Sequence, residues 1–233
     1  VTRADDLGAR LGVVLARIAA ACDAAGRSPG DVTLVAVSKT WPASDVLVLN
    51  GLGVADFGES YDAEAAAKAT ALRQAGVTPC WHFVGGLQRN KARSVAGYAD
   101  VVHSLDRSEV VDALGTAAAR AGRVVTGLVQ VSYDEGPGRS GAAPEDVERL
   151  ADRVAATEGL AFGGLMCVAP LGEPPRPVFA RLRALSETVR RAHPGAVTIS
   201  AGMTADLADA VAEGANCVRV GTALFGGRGP RLG

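Results

Sequence analysis

Eight short apolar runs recur along this chain, and a stretch of helical periodicity lies between each pair. The runs are Val32–Ser38, Val54–Phe57, Cys80–Val84, Val101–Ser104, Val124–Val131, Leu160–Val168, Val197–Ser200 and Cys217–Val220. They are apolar on both faces, as strands buried in a parallel sheet are. The helical stretches lie near Ala43–Asn50, Ala63–Ala75, Gln88–Ala96, Ser108–Ala121, Pro144–Thr157, Pro177–Ala192 and Thr204–Glu213. Alternation of this kind implies parallel strands joined by right-handed crossovers. Eight units predict a closed α/β barrel of the TIM type, a (β/α)8 barrel. An open doubly wound sheet is the alternative.

An extra N-terminal helix precedes the first strand. Leu7, Leu11, Val14, Leu15, Ile18 and Ala21 recur at helical spacing over Ala4–Ala25, and Gly26-Arg27-Ser28-Pro29-Gly30 ends the run. No linker or low-complexity stretch divides residues 1–233, so a single domain is expected. The densest cluster of breakers, Leu171–Pro177, reads as a surface loop.

Composition excludes several partners. The net charge is −1, from 24 basic and 25 acidic residues, which gives no strong field for nucleic acid or an anionic membrane. Aromatics make up only 4% of the chain, too few for base stacking to be a theme. No signal peptide shows, and no apolar stretch is long enough to span a bilayer. Cys22, Cys80, Cys167 and Cys217 are scattered and read as buried free thiols in a reducing cytoplasm. Neither they nor His82 and His103 show metal-ligand spacing, so no metal site is expected.

In such a barrel, chemistry sits where the strands end. Those ends carry Lys39, Gly58-Glu59-Ser60, Gly85-Gly86, His103-Ser104, Ser132-Tyr133, Met166, Ser200 and Arg219. A lysine on a dry rim can lose its proton and form a Schiff base with an aldehyde. The plain alternative is a solvated strand-end charge. The last two loops, Ser200-Ala201-Gly202-Met203-Thr204 and Arg219-Val220-Gly221-Thr222, each carry a glycine. Thr204 is placed to cap the following helix. Loops after the seventh and eighth strands often bind phosphate in barrels. With Lys39 opposite them, the arrangement suits an aldehyde-bearing phosphate ester, and pyridoxal 5'-phosphate fits that description. Arg219 would then face the ring and, always protonated, leave the pyridine nitrogen without a proton.

The motifs resemble those of a known family. They are Val35–Thr40, Phe57-Gly58-Glu59, Trp81–Lys91, His103–Arg107, Gly164-Leu165-Met166, Gly202-Met203 and Val218–Gly226, in order along most of the chain. This set is similar to the pyridoxal phosphate homeostasis proteins, the YggS/PROSC family, whose barrel is related to the N-terminal domain of alanine racemase. The resemblance implies that Lys39 carries the cofactor as an internal aldimine. It places Ser200, Gly202, Met203, Gly221 and Thr222 around the phosphate, Arg219 beside the pyridine nitrogen, and Met166 among the surrounding residues. It implies a cytoplasmic, monomeric protein that buffers or delivers pyridoxal phosphate, with pyridoxal-phosphate-dependent apoenzymes as recipients, and no established catalysis.

The chain departs from the family's pattern in three places. Ser60 stands where the family usually has Asn, so a cofactor contact from that side chain is in question. Ala201 replaces a methionine. In the loop after the fifth strand, Glu135 and Arg139 keep a Glu and Lys charge pattern.

Two further readings stay open beside the carrier. One is a stand-alone racemase-like enzyme, for which Tyr61 and Tyr133 are candidate acid or base groups beside Lys39. Racemases of this barrel type complete their site with a second domain; this chain ends at Gly233, soon after the eighth strand, so no such domain is expected and the carrier is favoured. The other is a phosphate-binding barrel that uses Lys39 only as a charge. His82 reads as a packing residue, and His103 is open between packing and chemistry.

Overall fold

The computed structural model describes residues 2–134 and 140–227. The chain begins with α1 (Arg3–Ala24), then β1 (Thr33–Val37), α2 (Ala43–Gly51), β2 (Asp56–Glu59) and α3 (Asp62–Gln74). Next come β3 (Cys80–Phe83), α4 (Ala92–Ala96), β4 (Val101–Leu105), α5 (Ser108–Arg120) and β5 (Val125–Val131). The last part holds α6 (Val147–Ala156), β6 (Leu160–Cys167), α7 (Pro175–Ala192), β7 (Thr198–Ser200), α8 (Leu207–Ala212), β8 (Cys217–Val220) and α9 (Thr222–Phe225). The eight strands pair in sequence order, all parallel, and β8 closes on β1. The closed barrel expected from the alternation is therefore the fold, and the open sheet is excluded.

Closure has a consequence for the rim. Because β1 and β8 are hydrogen-bonded neighbours, the glycine loop after β8 lies beside Lys39 and not opposite it.

Most element boundaries move by one or two residues from the apolar runs. The second strand runs Asp56–Glu59, two residues later than Val54–Phe57. The shift is hidden in sequence because the strand ends on a fully buried glutamate. The helix Pro177–Ala192 starts earlier, at Pro175; prolines fit the first turn, whose N–H groups have no intrahelical partner anyway. The stretch Gln88–Ala96 splits into a 3-10 turn, Arg89–Lys91, and the short α4. The short α9 has no counterpart in the sequence reading.

Helix α1 buries Leu7, Leu11, Val14, Ile18, Ala21 and Cys22 against α8, α2 and α9. Leu15, expected on that face, is exposed. Thr2 and Asp5 form a reciprocal capping box that starts the helix. The helix thus covers the seam between the last strand and the first. Among the described residues no helix is long and apolar enough to cross a membrane.

Candidate functional site

The loop that carries Lys39 is held from beneath by a buried ionic cluster. Alternation along β1 and β2 sends Val35, Val37 and Gly58 into the barrel and Ser38 and Glu59 outward, under α3. Lys68 of α3 meets them there. Its Nζ donates to the Ser38 carbonyl at 2.7 Å, to Glu59 Oε1 at 2.6 Å and to Glu64 Oε1 at 2.6 Å. Ser38 Oγ donates to the same Glu59 oxygen at 2.6 Å. Glu59 is 0% exposed and Lys68 6%, so neither charge is compensated by water. Burial pushes the Glu59 carboxyl above its ordinary range, against the pull of Lys68 and Ser38.

The chain beyond Ser38 is held as firmly. Thr40 has φ 69°, a left-handed conformation uncommon for a residue other than glycine. Its amide donates to Glu64 Oε1 at 2.5 Å, and the Trp41 amide donates to the Ser38 carbonyl at 3.0 Å. The Trp41 ring stacks on Phe225 at 6.0 Å between centroids, and the Arg3 guanidinium lies 4.7 Å above it. Arg3 also donates to Asp45 and to the Phe225 carbonyl, tying α1, α2 and α9 together. Residues 38, 40 and 41 are therefore fixed, while half-buried Lys39 has no hydrogen bond or ion pair to the described residues.

The neighbouring loops show what the two glycines do. A Cβ on Gly221 would sit 3.3 Å from the Val37 carbonyl, so the β8 loop hugs the end of β1. Gly221 precedes α9; its carbonyl accepts the Leu224 and Phe225 amides, which leaves the Thr222 and Ala223 amides without a backbone acceptor among the described residues. Gly202 has φ +91°, and a Cβ there would strike Ala210 of α8 at 2.7 Å. Its close approach is thus to a helix. Its carbonyl accepts the Arg219 amide at 2.9 Å. Thr204 does not cap α8, which starts at Leu207. Asp206 takes the cap position, and its carboxylate accepts the Met203 amide at 2.6 Å. The Thr204 carbonyl accepts from Arg17.

Inside the barrel a polar chain runs from Arg219 to the opposite mouth. Arg219 is 5% exposed, and its guanidinium donates to Ser200 Oγ at 2.5 Å and to the Cys167 carbonyl at 2.9 Å. Burial lowers the pKa of that guanidinium. Ser200 Oγ is 2.9 Å from His103 Nδ1. His103 Nε2 is 2.8 Å from His82 Nδ1, and His82 Nε2 is 2.9 Å from Asp56 Oδ1. Burial, then the charges of His82 and Arg219, hold His103 well below the ordinary histidine range, so it is neutral. Ser200 thus spends its side chain joining Arg219 to His103. Met166 is buried on β6 in register with Ser200 and so faces the same side.

Ser200→Ala would strand a buried guanidinium N–H and His103 Nδ1. We expect a loss of about 1–3 kcal/mol in urea denaturation.

The remaining candidates divide. Ser60 is half-buried, and its backbone lies so close to Gly85 that a Cβ there would collide with the Ser60 carbonyl. Tyr61 is exposed. Tyr133 has Arg181 stacked 4.3 Å over its ring, and burial pushes its hydroxyl far up, which removes it as a ready base. Glu135 and Arg139 lie outside the described residues. Sequence reasoning missed Lys68 and Glu64. Their i, i+4 spacing on α3 was the available signal.

A parallel barrel with a lysine on a fixed backbone after its first strand, unpaired among the described residues, and a buried arginine on the strand beside it, defines a class of lysine-bearing α/β barrels. Residues 8–229 match the family model described as alanine racemase, N-terminal domain. The chain belongs to that family and, within it, to the pyridoxal phosphate homeostasis proteins. A protein of that name from Mycobacterium leprae is 41% identical, over 96% of this chain and 93% of the relative. The structure of PipY from Synechococcus elongatus, with pyridoxal phosphate bound, is 32% identical with a TM-score of 0.82, over 94% of this chain and 100% of that one. Alanine racemase from Corynebacterium glutamicum, 16% identical, shares the fold with a TM-score of 0.71, over 98% of this chain and 62% of its own.

Proposed function

We propose that this chain binds pyridoxal 5'-phosphate through Lys39 and serves to buffer or deliver it in vitamin B6 and amino-acid homeostasis. The observation that carries this reading is the placement of Lys39 just past β1 and Arg219 on the adjoining β8, the first unpaired among the described residues and the second buried within. PipY, with the same fold, has pyridoxal phosphate bound. When bound, the cofactor supplies an aldehyde that a lysine amine can capture reversibly.

This chain's residues have distinct parts in that hold. Lys39 would bond the aldehyde carbon from a backbone kept rigid by Lys68, Glu59 and Glu64. The Gly221–Thr222 turn, with the Thr222 and Ala223 amides, is the stronger ground for the phosphate. Gly202 and Met203 would shape the same wall, although the Met203 amide already donates to Asp206. Arg219 would face the ring nitrogen and keep it unprotonated, because a guanidinium has protons to give and none to take. Met166 and Ser200 back that arginine, and Ser60 would border the opening.

The same residues favour holding over turnover. Proton exchange at an amino acid needs an acid or base on each face of the substrate. Lys39 supplies one, and Tyr133 is unsuited to be the other. We therefore read the protein as a non-catalytic, monomeric carrier with apoenzymes as recipients. Its four free cysteines support a reducing, cytoplasmic setting.

The test has two readouts. Borohydride reduction of purified protein followed by peptide mass spectrometry should place the cofactor mass on Lys39. The holoprotein in deuterated buffer should leave the α-proton of amino acids in place. Steady, cofactor-dependent exchange would replace the carrier reading with a racemase-like one.

A further inference from the structure

The N-terminal end of the barrel holds a cluster of donor groups that the rim site does not use. Asp56 opens β2 and Cys80 opens β3, and the two are register partners on adjacent strands. His82 lies two residues beyond Cys80, so it leaves the same face of the strand. Their donor atoms converge. His82 Nε2 is 2.9 Å from Asp56 Oδ1 and 3.3 Å from Cys80 Sγ, and all three lie within 4.8 Å of one another.

We propose that Asp56, Cys80 and His82 form a binding site for a divalent transition-metal ion of the zinc class, with a fourth position left to water. Thiolate, imidazole and carboxylate together are a zinc-type donor set, whereas calcium and magnesium take oxygen donors. Tetrahedral bonds of ordinary length need donors about 3.3–3.6 Å apart. The observed separations fall short by only a few tenths of an ångström. The Asp56 side chain is 26% exposed and has room to turn. Cys80 also borders a surface pocket of about 480 Å³, with Thr78, Pro79, Asp100 and Arg123 among the other lining residues.

The surroundings fit a cation. Asp56 is the register partner of Cys80, and Asp100 lines the same surface pocket as Cys80. A cation would be stabilised by the same two carboxylates. On binding, the thiol proton leaves to solvent and a sulfur–metal bond replaces the S–H bond. Asp100 stays outside the donor set because its oxygens accept from the Trp81 amide and from Arg123.

The interior chain also accommodates a ligated His82. A lone pair at Nε2 requires its proton at Nδ1, which donates to His103 Nε2. Neutral His103 then carries its proton at Nδ1 and donates to Ser200 Oγ, whose second lone pair accepts Arg219. Both histidine rings and the Arg219 guanidinium keep their partners. Sequence spacing gives no metal signature here because the donors come from two strands, and only their pairing joins them.

The test is a cobalt(II) titration of the full chain. A stoichiometric near-ultraviolet thiolate-to-cobalt charge-transfer band is expected, with zinc(II) displacing it. Cys80→Ser should abolish the band while circular dichroism stays native, and Asp56→Asn and His82→Gln should each weaken affinity about tenfold or more. Lys39→Ala should keep the band in full, which separates this site from the cofactor reading. No band in the unmodified protein, or a band surviving Cys80→Ser, would overturn the proposal. Unchanged affinity in both Asp56→Asn and His82→Gln would also overturn it, leaving only a thiol contact.

Discussion

Lys39→Ala should abolish the borohydride-fixed pyridoxal phosphate adduct and the visible absorbance of the purified protein, while leaving the fold intact. The two halves of that result have separate causes. Covalent capture needs a primary amine, and none can be offered from an alanine. Stability should change by no more than about 0.5 kcal/mol, because the side chain is half-buried and makes no hydrogen bond or ion pair to the described residues. Absorbance spectra, peptide mass spectrometry and urea denaturation measure all three quantities on one sample. An adduct retained at another lysine would refute the assignment. A collapsed fold would show instead that Lys39 has a structural part.

Lys68→Met should give the opposite pattern, with a large loss of stability at a position that does not touch the cofactor. The substitution keeps most of the unbranched side chain and removes its charge together with the three hydrogen bonds that Nζ donates. It would leave Glu59 fully buried without its cation and take one partner each from the Ser38 carbonyl and from Glu64. Breaking a buried pair from one side costs about 3–5 kcal/mol. Chemical denaturation measures that loss directly. Adding Glu59→Gln should recover part of it, because the uncompensated charge is then gone. A single variant as stable as the parent would mean that the cluster is not ionic in the folded protein. The cluster also fixes the backbone on both sides of Lys39. Any Lys68→Met protein that stays folded should therefore hold pyridoxal phosphate less tightly, read as a faster loss of absorbance on dialysis.

The barrel was legible because its signal is repeated. Eight apolar runs at helix-separated intervals leave few other topologies, and the errors fell where single residues broke the pattern. Glu59 hid the end of β2 because a buried charge looks like a surface one until its partner is known. Leu15 was assigned to the buried face of α1 because periodicity alone cannot say how wide that face is. Thr204 has the right chemistry for a cap, yet α8 starts at Leu207, and Asp206 in the cap position turns its carboxylate to the Met203 amide instead of to the helix.

The sequence by itself determined the alternation of strands and helices, the lysine after the first strand and the glycine turns after the last two. These follow from local periodicity, turn chemistry and motif resemblance, which are written in neighbouring residues. Only the tertiary structure decided that the β8 loop lies beside Lys39, that Lys68 anchors its backbone, and that Ser200, His103 and His82 link Arg219 to Asp56. Those relations join residues far apart in the chain, 97 positions in the His103–Ser200 contact, and they exist only once the barrel closes. Closure puts side chains from separate strands on one inner face, where a polar group must find a partner because water cannot reach it.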